Sequence, residues 1–431
     1  MSSGSSGFLA QFREFRFGWP TVLASAIGIG LGMSPLPFYT IGVFAAPFAA
    51  EFGWTTGQIF FCFLIFTFTA LFMSPLIGQL SDKYGARPVA LVSLVLFSLT
   101  MMSFSLMNGS LTYYYFTWFL LAVTGAGTLP ITWTRAVTSW FFKKRGLALG
   151  LALIGTGLFG LIAKQYAFWL IELVGWRLAY VGVGALPLLV AFPIAFIFFR
   201  DASDPKVADK VARMVREDVK PKVRYGGLTL GQAARDWRFW LLAYAFIPVS
   251  FAVGGPIPNM ETIMGSKGFS PSEAVNLAGL IGIAVIVGRV AGGYIIDHFW
   301  APAVAAIILS MPAISMFMLA QPEYEFWFAA VAIFILGMAA GVEYDLMAYL
   351  TSRYFGVLHY APIYGALYGF FALGAGLGPA VFGWSFDETG SYDKILLISS
   401  ALFLVGALPL LLLGKYRDYE EPLPDTERDS A

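Results

Sequence analysis

Long apolar stretches without a single charged side chain alternate with short polar ones along this chain. Residues 17–50, 52–81 and 88–134 hold no Asp, Glu, Lys or Arg. A helix needs about 20 apolar residues to cross a bilayer, so the third stretch holds two helices, parted at Asn108-Gly109-Ser110. Read this way, the pattern predicts spans near 19–49, 57–80, 88–107, 111–141, 146–171 and 178–199. A second set lies near 239–263, 272–296, 301–320, 326–352, 359–385 and 392–413.

Composition agrees with the pattern. Of 431 residues, 58% are hydrophobic and 12% charged, against about 25% charged in a soluble globular protein. Mean hydropathy is +0.73. These values exclude a soluble enzyme, a disordered chain and a secreted disulfide scaffold. The single cysteine, Cys62, sits in an apolar run, and two histidines, His298 and His359, are too few for a histidine-built metal centre. No metal site and no cofactor are expected. A net charge of +1 offers no basic field for nucleic acid. The first apolar run is far longer than a signal-peptide core. Met1–Gly7, MSSGSSG, reads as a linker-like segment outside the fold.

Charge sets the orientation. Residues 201–238 form a dense connector with Lys206, Lys210, Arg213, Arg216, Lys220, Lys222 and Arg224 among acids. With twelve alternating spans, Lys83, Arg87, Lys143-Lys144-Arg145, Lys415 and Arg417 fall on the same side, which the positive-inside rule marks as cytoplasmic. The opposite loops are expected to carry Glu51, Glu172, Glu261, Glu323, Glu325, Asp387 and Glu388. The expected organisation is a cytoplasmic N-terminus (1–18), a six-helix bundle (19–199), a cytoplasmic connector (200–238), a second six-helix bundle (239–413) and a cytoplasmic tail (414–431). The halves repeat. Gly78-x-x-x-Asp82 recurs as Gly293-x-x-x-Asp297, Gly127 through Trp140-Phe141 as Gly341 through Tyr354-Phe355, and Gly150 as Gly365, at offsets of 214 or 215. The fold class is therefore an all-α membrane protein of twelve transmembrane helices in two pseudo-symmetric six-helix bundles, the architecture of rocking transporters.

Gly78-Gln-Leu-Ser-Asp82-Lys-Tyr-Gly85-Ala-Arg87 resembles the loop between helices 2 and 3 of the major facilitator superfamily. The stretch Trp140-Phe-Phe-Lys143-Lys-Arg145-Gly146-Leu-Ala-Leu-Gly150, followed by Gly155 and Gly175-Trp176-Arg177, is similar to the monocarboxylate and oxalate–formate porter branch. The resemblance implies organic anion transport, with Arg289 standing where that branch places an arginine that contacts the substrate carboxylate. The chain departs from the branch in two places: Leu36-Pro-Phe-Tyr39-Thr carries no cation on the first span, and residues 365–383 carry none on the eleventh.

The loop has its own chemistry. Gly78 and Gly85 permit close approach and a tight turn, Asp82 suits a neighbouring helix N-terminus, and Arg87 suits an acid when that side is closed. Contacts that exist in one state only bias alternating access, so Gly78, Asp82, Arg87 and the repeat partner Asp297 are candidate gating residues. The other reading is a plain positive-inside loop.

Arg135, Lys164, Arg289, Glu343 and Asp345 lie well inside spans. Each costs about 2.5–3.5 kcal/mol at a lipid-exposed centre, so they face the interior, pair or bind ligand. Three cations against two acids suit an anionic substrate. Arg289 serves as a carboxylate fork or pairs with Glu343 or Asp345. Lys164 shares a helix face with Gly157 and Gly160, pointing to other helices, or snorkels outward. Glu343 and Asp345 diverge by about 200° on their helix. Asp345 shares a face with Tyr349, the repeat equivalent of Arg135, which makes Asp345 the first proton-coupling candidate and Glu343 the second, with a structural ion pair as the alternative for both. Arg135 serves the site or the inner gate. Tyr39, where the chain is interrupted by Pro35 and Pro37, Asn259 after Gly254-Gly255-Pro256, and Tyr368 complete the candidate substrate-binding set.

Gly-x-x-x-x-Gly-Lys-Ser/Thr, the nucleotide phosphate loop, does not occur. The sequence thus reads as a secondary transporter of a small mono- or dicarboxylate in the plasma membrane, proton-coupled and monomeric, working by alternating access, and not as an enzyme. The rival readings are an anion exchanger, a multidrug or metabolite exporter of the same fold, and a solute sensor that moves nothing.

Overall fold

The computed structural model describes residues 13–141, 145–201, 204, 206–207, 223–356, 358–417 and 419–422. Lys143, Lys144 and most of the connector, including Lys210, Arg213, Arg216, Lys220 and Lys222, lie outside the described residues. So do the side chains of Asp82 and Asp297, although both residues are on helices.

In the first half, α1 (Arg13–Gly30) and α2 (Leu36–Phe52) make one passage with a break between them. Pro35 and Pro37 lack the N–H that a continuous helix needs. The break leaves the Met33 N–H without a helical acceptor, and Thr128 Oγ1 accepts it at 2.8 Å. That hydroxyl comes from the corresponding break in the fourth passage, between α6 (Leu111–Gly125) and α7 (Pro130–Trp140), once the second passage, α3 (Thr56–Phe60) with α4 (Cys62–Tyr84), and the third, α5 (Ala86–Ser103), have been made. The long α8 (Arg145–Leu186) holds the fifth passage and most of the sixth, turned at Gly175, whose φ of 79° suits a residue without a side chain. The sixth ends with α9 (Phe192–Phe198).

After strand β1 (Val223–Tyr225) and the short α10 (Leu230–Ala233), the second half runs through six passages. They are α11 (Trp237–Gly254) with α12 (Pro256–Ser266), α13 (Pro271–His298), α14 (Ala301–Ser310) with α15 (Pro312–Leu319), α16 (Phe326–Phe355), α17 (Tyr360–Thr389) and α18 (Asp393–Ala407). Ten helical stretches are long and apolar enough to cross a membrane. One of them, 147–198, turns at Gly175 to cross twice, and the broken α1–α2 passage adds another. Among the described residues this gives twelve passages.

One feature departs from the all-helical expectation. Strand β2 (Glu420–Pro422) pairs antiparallel with β1, and Gly227 bridges to Gly356. These extended segments lie beyond the spans, where their backbone N–H and C=O groups pair with each other. They stitch the connector and the tail to the second half. Arg417 pairs with Asp236 at 2.6 Å, and Tyr354 and Tyr419 bond to backbone on either side.

Each half buries its own core. Trp118, Trp133, Tyr114 and Phe48 anchor the first, and Leu336, Leu346, Tyr354 and Phe403 the second. The halves meet along α8 and α13. There Gly157 and Gly282 bring the two backbones together, and a side-chain carbon on either would lie within 2.6 Å of the other's carbonyl oxygen.

Candidate functional site

The two ends of the seam differ. At the end bearing Asp387 the halves are locked together. Asp387, on the last turn of α17, accepts the backbone N–H groups of Thr56 and Gly57 at 2.9 and 2.7 Å. These are orphan donors of α3, and a carboxylate is favoured at a helix N-terminus. The Trp384 and Phe61 rings sit 5.9 Å apart across the same contact. Gln165 Nε2 donates to the Asn276 side chain at 3.2 Å, joining α8 to α13.

Deeper in the same half of the seam lies an ion pair that spans both bundles. Lys164 Nζ on α8 is 2.5 Å from Glu261 Oε1 on α12, with side chains only 1% and 7% exposed. Neither charge has another hydrogen-bond partner among the described residues. Gly42 on α2 lets that helix pass against the Glu261 carboxylate. Two buried opposite charges at this distance satisfy each other. Separating them without replacement partners leaves uncompensated charge in a low-dielectric interior.

At the other end of the seam, four helix glycines of the repeat are uncrowded. A side-chain carbon placed at Gly78, Gly150, Gly293 or Gly365 would meet no atom within 4 Å. These are two of the three repeat pairs read from the sequence; the third, Gly127 and Gly341, is tightly packed. Arg87, the gating candidate, spends its guanidinium inside its own half: it donates to the Phe196 carbonyl at 2.6 Å and lies over the Phe196 ring.

Between the ends sits the charged centre. Arg289 on α13 donates from Nη1 to the Leu153 carbonyl of α8 at 3.0 Å and from Nε to the Gly341 carbonyl of α16 at 3.2 Å. Its Nε is 3.4 Å from Asp345 Oδ2. The guanidinium side chain is 9% exposed and the Asp345 side chain 31%. The pair is looser and wetter than Lys164–Glu261. Arg289 thus touches both bundles and keeps an acid that is partly exposed.

Tyrosines surround this centre. Tyr39, buried on α2, lies within electrostatic range of both Arg289 and Glu343. Tyr364 lies within range of Arg289 and Asp345, and Tyr344 within range of Glu343 and Tyr39. Tyr360, Tyr364 and Tyr368 stack along α17, with centroids 5.4 and 6.4 Å apart, and Tyr344 faces Tyr368 at 6.2 Å. The i, i+4, i+8 spacing puts the three on one helix face. Glu343 is buried behind them, and its Oε2 has no hydrogen-bond donor.

The comparisons with known proteins agree with this architecture. A family profile described as Major Facilitator Superfamily matches residues 27–379. The chain belongs to the Major Facilitator Superfamily. It is a multi-pass membrane transporter, not an enzyme. It is 26% identical over 89% of its length to the "Probable sulfoacetate transporter" of Cupriavidus necator, covering 91% of that protein. It is 28% identical over 94% of its length to "Monocarboxylate transporter 13" of Bos taurus, again covering 91%. Among solved structures, it shares its fold with a bacterial homologue of the human lysosomal transporter Spinster, in an inward-facing and unoccupied conformation. The TM-score is 0.65 at 18% identity, over 92% of this chain and 97% of that one.

In this transporter the structure brings together Arg289, Asp345, Glu343, Tyr39 and Tyr368. It does not bring Asn259 to them. That amide is fully buried, donates to the Gly255 and Pro379 carbonyls at 2.9 and 3.2 Å, and accepts from Tyr392, so it ties α12 to α17. Arg135 is exposed, on the side of α7 away from the packed residues Thr132, Trp133, Ala136 and Val137. Lys164 does not snorkel. Its partner corrects the expectation that Glu261 is an acid of the opposite loops: Glu261 is on α12, inside the protein. A cation buried within a span needs an acid, and that requirement was the available signal for Glu261. With Glu261 counted, three acids balance three cations inside the spans, so the surplus cation disappears. Asp387 likewise is a helix residue with a fixed partner and not a free loop acid. The spacing Tyr360, Tyr364, Tyr368 stood in the sequence as a further sign of the chamber wall.

Proposed function

We propose that this transporter is a proton-coupled symporter of a small organic anion, monomeric, in the plasma membrane, with both termini cytoplasmic. The observation that carries the reading is Arg289. It is a guanidinium held at the seam of the two bundles by one carbonyl from each, with a loosely bound, partly exposed carboxylate as its only acidic partner among the described residues. An arriving carboxylate competes with Asp345 for the fork. The displaced Asp345 is then an uncompensated charge in a partly desolvated chamber, and a proton relieves it. Anion binding and proton binding at Asp345 therefore favour each other. Glu343, buried without a donor on Oε2, is the second proton site of this reading.

Alternating access follows from the seam. The positive-inside rule makes the end bearing the uncrowded Gly78, Gly150, Gly293 and Gly365 the cytoplasmic one. Lys164–Glu261 and the Asp387 cap hold the outer end shut. Gly78, Asp82, Arg87 and Asp297 close the inner end in the opposite state, when the Arg87 fork leaves Phe196. The names of the relatives, transporters of sulfoacetate and of monocarboxylates, support an anionic cargo. Uptake of a labelled carboxylate panel into proteoliposomes, with and without an imposed proton gradient, tests the reading. Gradient-stimulated uptake by the native protein that is lost in Arg289→Ala is expected. Movement of only apolar or cationic compounds overturns it.

A further inference from the structure

Five phenol groups lie around the charged centre. The hydroxyls of Tyr39, Tyr344, Tyr360, Tyr364 and Tyr368 make no hydrogen bond to any described residue, and none is among the buried polar atoms cut off from solvent. Four tyrosines elsewhere donate to backbone carbonyls, Tyr114 to Ile59, Tyr115 to Gln58, Tyr354 to Gly414 and Tyr419 to Tyr354, whereas the buried Tyr324 hydroxyl, like the five, has no partner among the described residues. A buried or half-buried phenol normally finds a partner. Five uncommitted ones around one charged centre form a row of unused donors and acceptors. They follow α17 at one-turn intervals past Arg289 and Asp345 and turn across to α16 and α2.

The charge of the chamber restricts what meets them. Arg289 is the cation, and Asp345 and Glu343 are the acids. With Asp345 neutralised by a proton, one guanidinium balances one anionic group. A second anionic group on the cargo would face Glu343 with no cation assigned to it. The rest of the cargo therefore presents neutral oxygens to the phenols, several of them, spread along a chain that reaches beyond the fork.

We infer that the chamber selects a polyhydroxylated monocarboxylate, of the sugar-acid type, with its carboxylate on Arg289 and its hydroxyls on the tyrosine row. This rests on the anion-transport reading above and narrows it. A plain alkyl acid leaves the phenols facing methylenes once water is displaced. A site built to hydrogen-bond rejects the analogue that lacks the partner.

The test is binding of three C6 probes to the purified full chain in detergent: gluconate, hexanoate and glucarate. Gluconate is expected to bind at least tenfold more tightly than hexanoate, the ratio of a single unmatched hydrogen bond, and more tightly than the dianion glucarate. Tyr364→Phe and Tyr368→Phe, each checked for an unchanged melting temperature without ligand, are expected to bring gluconate down toward hexanoate and leave hexanoate unmoved. Tyr344→Phe is the second-helix check if either α17 variant melts early. Hexanoate or glucarate binding as well as gluconate overturns the inference, as do Phe variants that weaken gluconate and hexanoate alike. If none of the three binds while another carboxylate is transported in an Arg289-dependent way, the selectivity is wrong and the anion reading stands. If no carboxylate is transported at all, both fall.

Discussion

Two cations lie at the seam about 16 Å apart in height, since Lys164 is eleven residues beyond the Leu153 carbonyl that Arg289 touches. Each has a carboxylate, and the two pairs are built differently. Lys164 and Glu261 come from opposite bundles, sit 2.5 Å apart and are sealed from water. Arg289 and Asp345 come from the same bundle, sit 3.4 Å apart, and the acid is about one-third exposed. The first pair exists only while its end of the seam is shut, so it reports on and biases the conformation. The second survives a rocking of the bundles and stays within reach of solvent, so it can trade its acid for a ligand. The lesson is that a charge in a span is assigned a role by where its partner comes from and by how dry the contact is, not by its sign.

The comparison breaks most sharply at Arg289. Arg289→Ala is expected to cut carboxylate uptake about 100-fold or more, as loss of a desolvated charged contact does. Arg289→Lys keeps the charge and loses the fork, and should fall between. Equal uptake by both variants and the native protein would end the substrate role of this residue.

The sealed pair is expected to respond in stability and conformation. Lys164→Met or Glu261→Met alone leaves one buried charge and should cost about 3–5 kcal/mol. The double variant removes both charges and should recover most of that loss. Spin labels at the exposed Asn108 and Glu388 should show the outer end opening in the single variants. If the double variant is as unstable as the singles, the pair contributes packing and not charge matching.

The loose pair is expected to respond in coupling. Asp345→Asn cannot take or give a proton. It should lower proton-driven uptake about tenfold while exchange of labelled for unlabelled anion continues, and uptake should no longer rise as the outside pH falls. Unchanged gradient dependence would move the proton to Glu343.

The smallest effect is expected at the helix cap. Asp387→Asn weakens two charge-assisted bonds to the α3 N-terminus and should cost about 1 kcal/mol, seen as a modest widening of the same Asn108–Glu388 distance. A shift as large as that of the Lys164 variants would make the cap, and not the buried pair, the main outer latch.

Much of this was legible in the residues. The twelve passages followed from charge-free runs, the repeat from glycines at constant offset, and the family from the Gly78–Arg87 loop. Arg289, Glu343, Asp345, Tyr39 and Tyr368 were singled out as charged or polar groups in apolar spans, and they do lie together. Asn259 was singled out for the same reason, and its hydrogen bonds are consumed within one bundle. Glu261 and Asp387 read as loop acids in the sequence because they stand near span ends, where one residue of boundary separates a solvated acid from a buried one.

The sequence by itself determined the solvent of this protein, the number of its passages, its two-fold repeat and which residues are costly inside a bilayer. These are local or periodic properties: a run of apolar residues is costly to leave in water wherever the chain goes. Only the tertiary structure decided which charge meets which. Lys164 and Glu261 are 97 positions apart, and Arg289 and Asp345 are 56 apart. Their pairing depends on the rotation of each helix about its axis and on which end of the seam is closed, and packing across the whole molecule sets both.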